Sequence, residues 1–283
     1  MTRIILLVLL CVVSSPALAH EGPRVWLDTV GGKIKTYTSD NDLNPTTYTE
    51  SRMFPTDMEN LGGGVFTTDF PGYEVRRTGG SVAAGTTFGF NLVGPALYFD
   101  SANHRFVTVQ TMFGPPQPGP VPQIAISLDT TFVTTGNGAV AGFNFYTFNQ
   151  IGDHAHLSYT FLGDGQTASD GPVGVYVLQL NLVSAGLATS DTFYLLVGKE
   201  VEQTDPEFLA AASAAQATLL NPGDMNCSGA LDLSDVPGFV QALLDPDGYA
   251  SSHPGCNIYQ ADLNRDGRVD GVDTGILLKA LVP

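Results

Sequence analysis

Residues 224–235 and 262–273 carry the same series of oxygen donors. Asp224, Asn226, Ser228, Asp232 and Asp235 stand at positions 1, 3, 5, 9 and 12 of the first stretch. Asp262, Asn264, Asp266, Asp270 and Asp273 repeat that series in the second, and Gly229 and Gly267 both fall at position 6. A hard divalent cation takes about six to eight oxygens, and a loop with a sharp turn at its middle delivers them from these positions. Position 7, Ala230 or Arg268, contributes only a backbone carbonyl, so its side chain is unconstrained. The chemistry expected is the binding of two calcium ions.

The residues after each loop are apolar at three- and four-residue steps: Val236, Phe239, Val240, Leu243 and Leu244, then Ile276, Leu277, Ala280 and Leu281. That spacing predicts a short amphipathic helix leaving each loop. Pro222 and Gly223 precede the first loop, and Pro254, Gly255 and Asn257 precede the second, so entering helices are expected to be reduced or missing. Two calcium loops, each with an exiting helix only, resemble the dockerin type I module over residues 222–283. The resemblance implies that the five side chains of each loop ligate one ion, helped by the carbonyls of Ala230 and Arg268. It further implies a module that attaches its passenger to a cohesin-like or cell-surface protein. Aspartate at position 12 is shared with dockerin-like loops. Ser228 stands where an aspartate is usual, leaving three carboxylates against four and predicting tighter binding in the second loop. The connection 245–256 is longer than usual for that family.

Arg3, the apolar run 4–13 and the small-x-small triplet Ala17, Leu18, Ala19 predict a signal peptide over residues 1–19. The run is shorter than the roughly 20 residues a membrane span needs. A secreted or extracellular protein is expected, with no transmembrane segment. Beyond residue 19 the cysteines are Cys227 and Cys256. An isolated pair in an exported chain is expected as a disulfide rather than as free thiols. Thiolate ligation is the weaker alternative, because Cys227 at loop position 4 points away from the ion. The net charge is −16, and residues 223–283 hold nine aspartates against Arg265, Arg268 and Lys279. This balance excludes a nucleic-acid partner, which needs a basic face.

Residues 20–203 are rich in Gly, Thr, Val, Phe and Tyr. Short apolar or alternating runs at 33–38, 65–67, 86–92, 96–99, 106–110, 123–128, 141–148, 156–162, 173–182 and 192–198 predict a mainly β chain, an antiparallel β-sandwich. The proline-rich stretch 114–122 is expected as an exposed connector. Residues 204–222 read as an Ala-rich helical linker, with Asp205 able to cap it and Pro206 at its first position. Residues 223–283 then form the small α-helical, EF-hand-like module.

His154 and His156 lie two apart in an extended run and so project to one face, a natural chelate for copper or zinc. Cleavage after Ala19 would leave His20 first, where its amino group and imidazole could bind copper together. The three histidines resemble the histidine brace of secreted copper proteins and lytic monooxygenases. Ordinary polar strand surface is the plainer explanation. A glycoside hydrolase needs two facing carboxylates; Asp100, Asp129, Asp164 and Asp170 are candidates that the sequence does not pair. No catalytic residue is assigned. Trp26 reads as core, while Tyr37, Tyr48 and Tyr73 could display a polysaccharide-binding surface. The expectation is a calcium-anchored β-sandwich passenger, with a tethered polysaccharide-active enzyme, a copper oxidase or a carbohydrate-binding protein as the alternatives.

Overall fold

The computed structural model describes residues 23–117, 119–254 and 256–282. Sixteen strands precede the Ala-rich helix among these residues: β1 (Arg24–Val30), β2 (Lys33–Ser39), β3 (Tyr48–Glu50), β4 (Met53–Asn60), β5 (Phe66–Thr68), β6 (Gly72–Val75), β7 (Thr87–Leu92) and β8 (Leu97–Asp100). Then come β9 (Arg105–Thr108), β10 (Gln123–Leu128), β11 (Thr131–Thr134), β12 (Val140–Thr147), β13 (His154–His156), β14 (Ser158–Leu162), β15 (Gly174–Val183) and β16 (Phe193–Lys199). Between β9 and β10 a short helix, α1 (Val109–Phe113), takes up residues 109 and 110, which the sequence suggests as strand; the Thr108 side chain caps it by accepting the Thr111 N–H.

The strands form two curled sheets. One runs β13-β6-β1-β2-β3, and the other runs β11-β10-β14-β5-β4-β16-β15-β7-β12, with the β8–β9 hairpin attached through β15. Pairing is mostly antiparallel, but β1 with β6 and β4 with β16 are parallel. The purely antiparallel expectation is corrected there: each of those pairs joins strands far apart in sequence, which no local pattern reveals. Val25, Leu27, Ile34 and Tyr73 of the first sheet pack with Phe88, Phe90, Ile126, Phe161, Leu178 and Leu195 of the second in one core, as a β-sandwich requires. Tyr73 and Tyr159 come from opposite sheets, and their hydroxyls meet at 2.8 Å inside that core. One phenol therefore donates to the other, giving each a partner where no water reaches.

Helix α2 (Pro206–Thr218) does form from the Ala-rich run, but it lies against a sheet. Phe208, Ala211, Ala214, Ala215 and Leu219 pack on Leu97, Phe99, Phe106, Val175, Val177 and Leu196. Alanine side chains let the helix axis approach closely, and Phe208 and Leu219 are the large side chains it buries. Asp205 does not cap the helix with its side chain; its carboxylate accepts the Glu202 N–H at 2.9 Å instead.

Helices α3 (Val236–Leu244), α4 (Pro246–Ser252) and α5 (Gly271–Leu281) follow. The long connection between the loops thus holds a helix, started by Asp245 accepting the Gly248 N–H and by Pro246 at its first position. Met225, Phe239, Ala242, Tyr249, Ala261 and Leu277 form a core of their own. So small a core needs a staple, and Cys227–Cys256 is a disulfide across a sequence separation of 29.

Phe208→Ala should destabilise the chain by about 3–5 kcal/mol in urea unfolding, as expected for a buried aromatic; a surface linker would lose almost nothing. Replacing both Cys227 and Cys256 with serine should lower the stability of residues 223–283 by about 2–4 kcal/mol, read from the first unfolding transition.

Candidate metal centre

The two loops fold around their acidic residues in the same way. Asp224 accepts the N–H groups of Ser228 at 2.9 Å and Gly229 at 2.8 Å, and Asp262 accepts those of Asp266 at 3.1 Å and Gly267 at 2.9 Å. Asn226 and Asn264 accept the position-5 N–H at 2.9 Å and 3.0 Å. At position 12, Asp235 accepts the N–H groups of Asn226 and Asp232, and Asp273 those of Leu263, Asn264 and Asp270. Asp232 with Asp235, and Asp270 with Asp273, also form reciprocal capping boxes at the start of the exiting helical turns. Gly229 and Gly267 have φ of +88° and +85°, which supplies the turn at position 6.

Burial divides the donors. Asp224 is 2% exposed and Asp235, Asp262 and Asp273 are fully buried, whereas Asn226, Ser228, Ala230, Asp232 and Arg268 are exposed. Asn264, Asp266 and Asp270 are half-buried. Among the described residues, none of the four buried carboxylates forms a salt bridge. A buried anion without a countercharge is costly, and each carboxylate oxygen retains acceptor capacity beyond the N–H it already binds. The donor set therefore fits a hard cation. Among the described residues no three His, Cys, Asp or Glu side chains are gathered as metal ligands. The carboxylates are turned onto backbone N–H groups, and the Ser228 hydroxyl donates to the Ala230 carbonyl at 3.2 Å.

The segment before the second loop is a single 3-10 turn, Ile258–Ala261, and the residues between α2 and Asp224 form no helix. After the loops the helices are α3, which begins at Val236 directly after its loop, and α5, which begins inside its loop at Gly271.

His20 lies outside the described residues. His154 and His156 share a face of β13, with ring centroids 5.2 Å apart. The chain changes sheets at Leu157: β13 pairs with β6, but β14 pairs with β10 and β5. The histidines therefore do not share a surface with Ser158 and Thr160, as a continuous strand would have required. His156 is half-buried; its Nδ1 lies 2.8 Å from the Asp69 carbonyl oxygen, and its ring packs over Gly72, where a Cβ would come within 2.8 Å.

The candidate carboxylates of a hydrolase are each engaged locally. Asp164 accepts from Gln166, Thr167 and the Thr167 hydroxyl, and these bonds hold its pKa down to about 2. Asp100 pairs with Arg105 at 3.1 Å, and Asp129 occupies the turn between β10 and β11 with φ of 51°. Asp170 contacts the Lys199 ammonium at 2.5 Å, a buried lysine that also meets Glu200 at 3.0 Å and stands 4.0 Å from the Phe66 ring centre. Sequence reasoning passes over Lys199, because a lysine ending an apolar strand looks like a solvated terminus. Trp26 is buried as expected, flanked by Arg24 and Arg77 and donating to Ser39 at 3.0 Å. Tyr37 and Tyr73 are buried too, so neither offers a sugar-stacking face; Tyr48 is half-buried against Trp26.

No known protein family and no curated protein matches the sequence. Among solved structures the chain is similar to the CooA pilin subunit from enterotoxigenic Escherichia coli, at 10% identity and a TM-score of 0.24, over 54% of this chain and 91% of that one. A likeness at that level carries no functional argument. No helix among the described residues is long and apolar enough to cross a membrane.

Burial, partly offset by the Gly267 N–H and the Arg265 charge, pushes the Asp262 carboxyl up to about 6. Its ordinary value in an unfolded chain is about 3.9. A raised folded-state value means that its contribution to stability is complete below the unfolded value and is lost as pH rises through about 6. In chelator, residues 223–283 should therefore melt at a lower temperature at pH 7.5 than at pH 5, and Asp262→Asn should flatten that difference. A melting temperature that rises from pH 5 to 7.5 in chelator would contradict the assignment.

Proposed function

We propose that this chain is a secreted calcium-binding protein whose dockerin-like C-terminal module anchors the β-sandwich to a cohesin-type or cell-surface partner. The observation that carries the reading is the repetition of one hydrogen-bond set in both loops, each built around two buried carboxylates that form no salt bridge among the described residues. Calcium supplies the missing positive charge, and the ligands are Asp224, Asn226, Ser228, Asp232 and Asp235 in one loop and Asp262, Asn264, Asp266, Asp270 and Asp273 in the other. Exposed Leu233, Val240 and Leu244 beside the first loop, with Val272, Ile276 and Leu278 on α5, support a partner-binding role for the module. Scattered apolar residues are common on surfaces, but such a concentration on so small a module suits an interface.

Calorimetric titration of the full chain with calcium should give two sites. Asp235→Asn should remove one and Asp273→Asn the other. The second loop, richer in carboxylates and with less exposed donors, should fill first. Binding unaffected by either substitution would refute the loop assignment. Calcium-dependent capture of an immobilised cohesin domain tests the anchoring role, and its absence with both loops filled would rule out a cohesin of that type.

A further inference from the structure

The second loop touches the sandwich, and it does so through the backbone that forms its calcium turn. The Gly267 N–H donates to Asp262 at 2.9 Å, while the Gly267 carbonyl accepts from the Arg105 guanidinium of β9. One residue thus links a candidate ligand to the other domain. The Thr108 N–H, also in β9, donates to the Arg265 carbonyl at 3.1 Å. The Arg265 guanidinium donates to the Thr218 carbonyl, at 2.6 Å, at the end of α2. Arg105 lies 5.2 Å from the Tyr259 ring centre, and Asn257 donates to the His104 carbonyl at 3.4 Å. A Cβ on Gly267 would come within 3.0 Å of Val107, so the turn is seated directly on the strand. Among the described residues the first loop has no such seat: Asn226 through Ala230 are exposed.

We infer that β9 is a working part of the second calcium loop: Arg105 and Arg265 are positioning residues that hold its turn in the shape the ion needs. The inference rests on the calcium reading above. Without the sandwich, residues 265–267 would have to be ordered at the moment of binding; with it, that ordering precedes binding, which raises affinity. Coupling of this kind is reciprocal, so calcium in the second loop must in turn tighten the seat of the module on the sandwich.

The test uses the full chain and calcium chloride. Arg105→Gln and Arg265→Gln should each weaken, by at least about fivefold, the site that Asp273→Asn abolishes, and leave the other site unchanged. Hydrogen exchange at the Thr108 amide in the unmutated chain gives a second readout that no variant can disturb by misfolding. This amide belongs to the sandwich but is bonded to the loop, so its exchange should slow by at least about fivefold when calcium replaces chelator. Two filled sites with unchanged affinity in both variants and unchanged exchange at Thr108 would overturn the coupling alone. A chain that takes up no calcium would overturn this inference together with the reading it rests on.

Discussion

Four aspartates that cannot reach water, Asp224, Asp235, Asp262 and Asp273, shape everything after residue 222. An isolated buried carboxylate is among the costliest groups in a protein, and each of these lowers that cost by drawing backbone N–H groups toward itself. The chain wraps around the charge, and the wrapping makes the loop. What N–H donors cannot do is cancel the charge. With six buried apolar side chains in its core among the described residues, the module leans on those loops and on the disulfide. A cation bound by these carboxylates would make metal binding and folding one equilibrium.

The sandwich is governed by different physics. Its core is large, and its polar interior consists mainly of satisfied pairs: Tyr73 with Tyr159, Glu74 with Arg24 and Arg77, Lys199 with Asp170 and Glu200. Helix α2 closes the outer face of the larger sheet, and its last turn offers the carbonyl that Arg265 takes. The hydrophobic burial of Phe208 and the placement of the second loop are therefore mechanically continuous.

Much of this is legible before folding is considered. Oxygen donors at fixed loop spacing encode local hydrogen bonds, so the loops and their exiting helices follow from short-range chemistry. Runs such as 173–182 and 192–198 read as strands because they are buried almost throughout as β15 and β16. Strand β4 is harder to see: Pro55 argues against it, yet β5 pairs only with Glu59 and Asn60, so Pro55 lies where one edge of the strand is free. Strand β6 is four residues long and exists because β1 and β13 flank it. The break at Leu157, the role of α2 and the contact of Thr108 with Arg265 depend on partners far away in the sequence. An Ala-rich helix looks alike whether it spans solvent or covers a sheet.

Position 4 of the two loops brings these strands of argument together. Cys227 and Arg265 share that position and the same left-handed backbone, with φ of 55° and 60°. No ion needs the side chain there, and its direction is outward. In one copy it became a covalent tie to the module itself; in the other it became a tie to the neighbouring domain. The duplicated loops are thus alike in what they could bind and opposite in what they are fastened to. A partner approaching this surface would find one half of the repeat open and the other already occupied by its own chain.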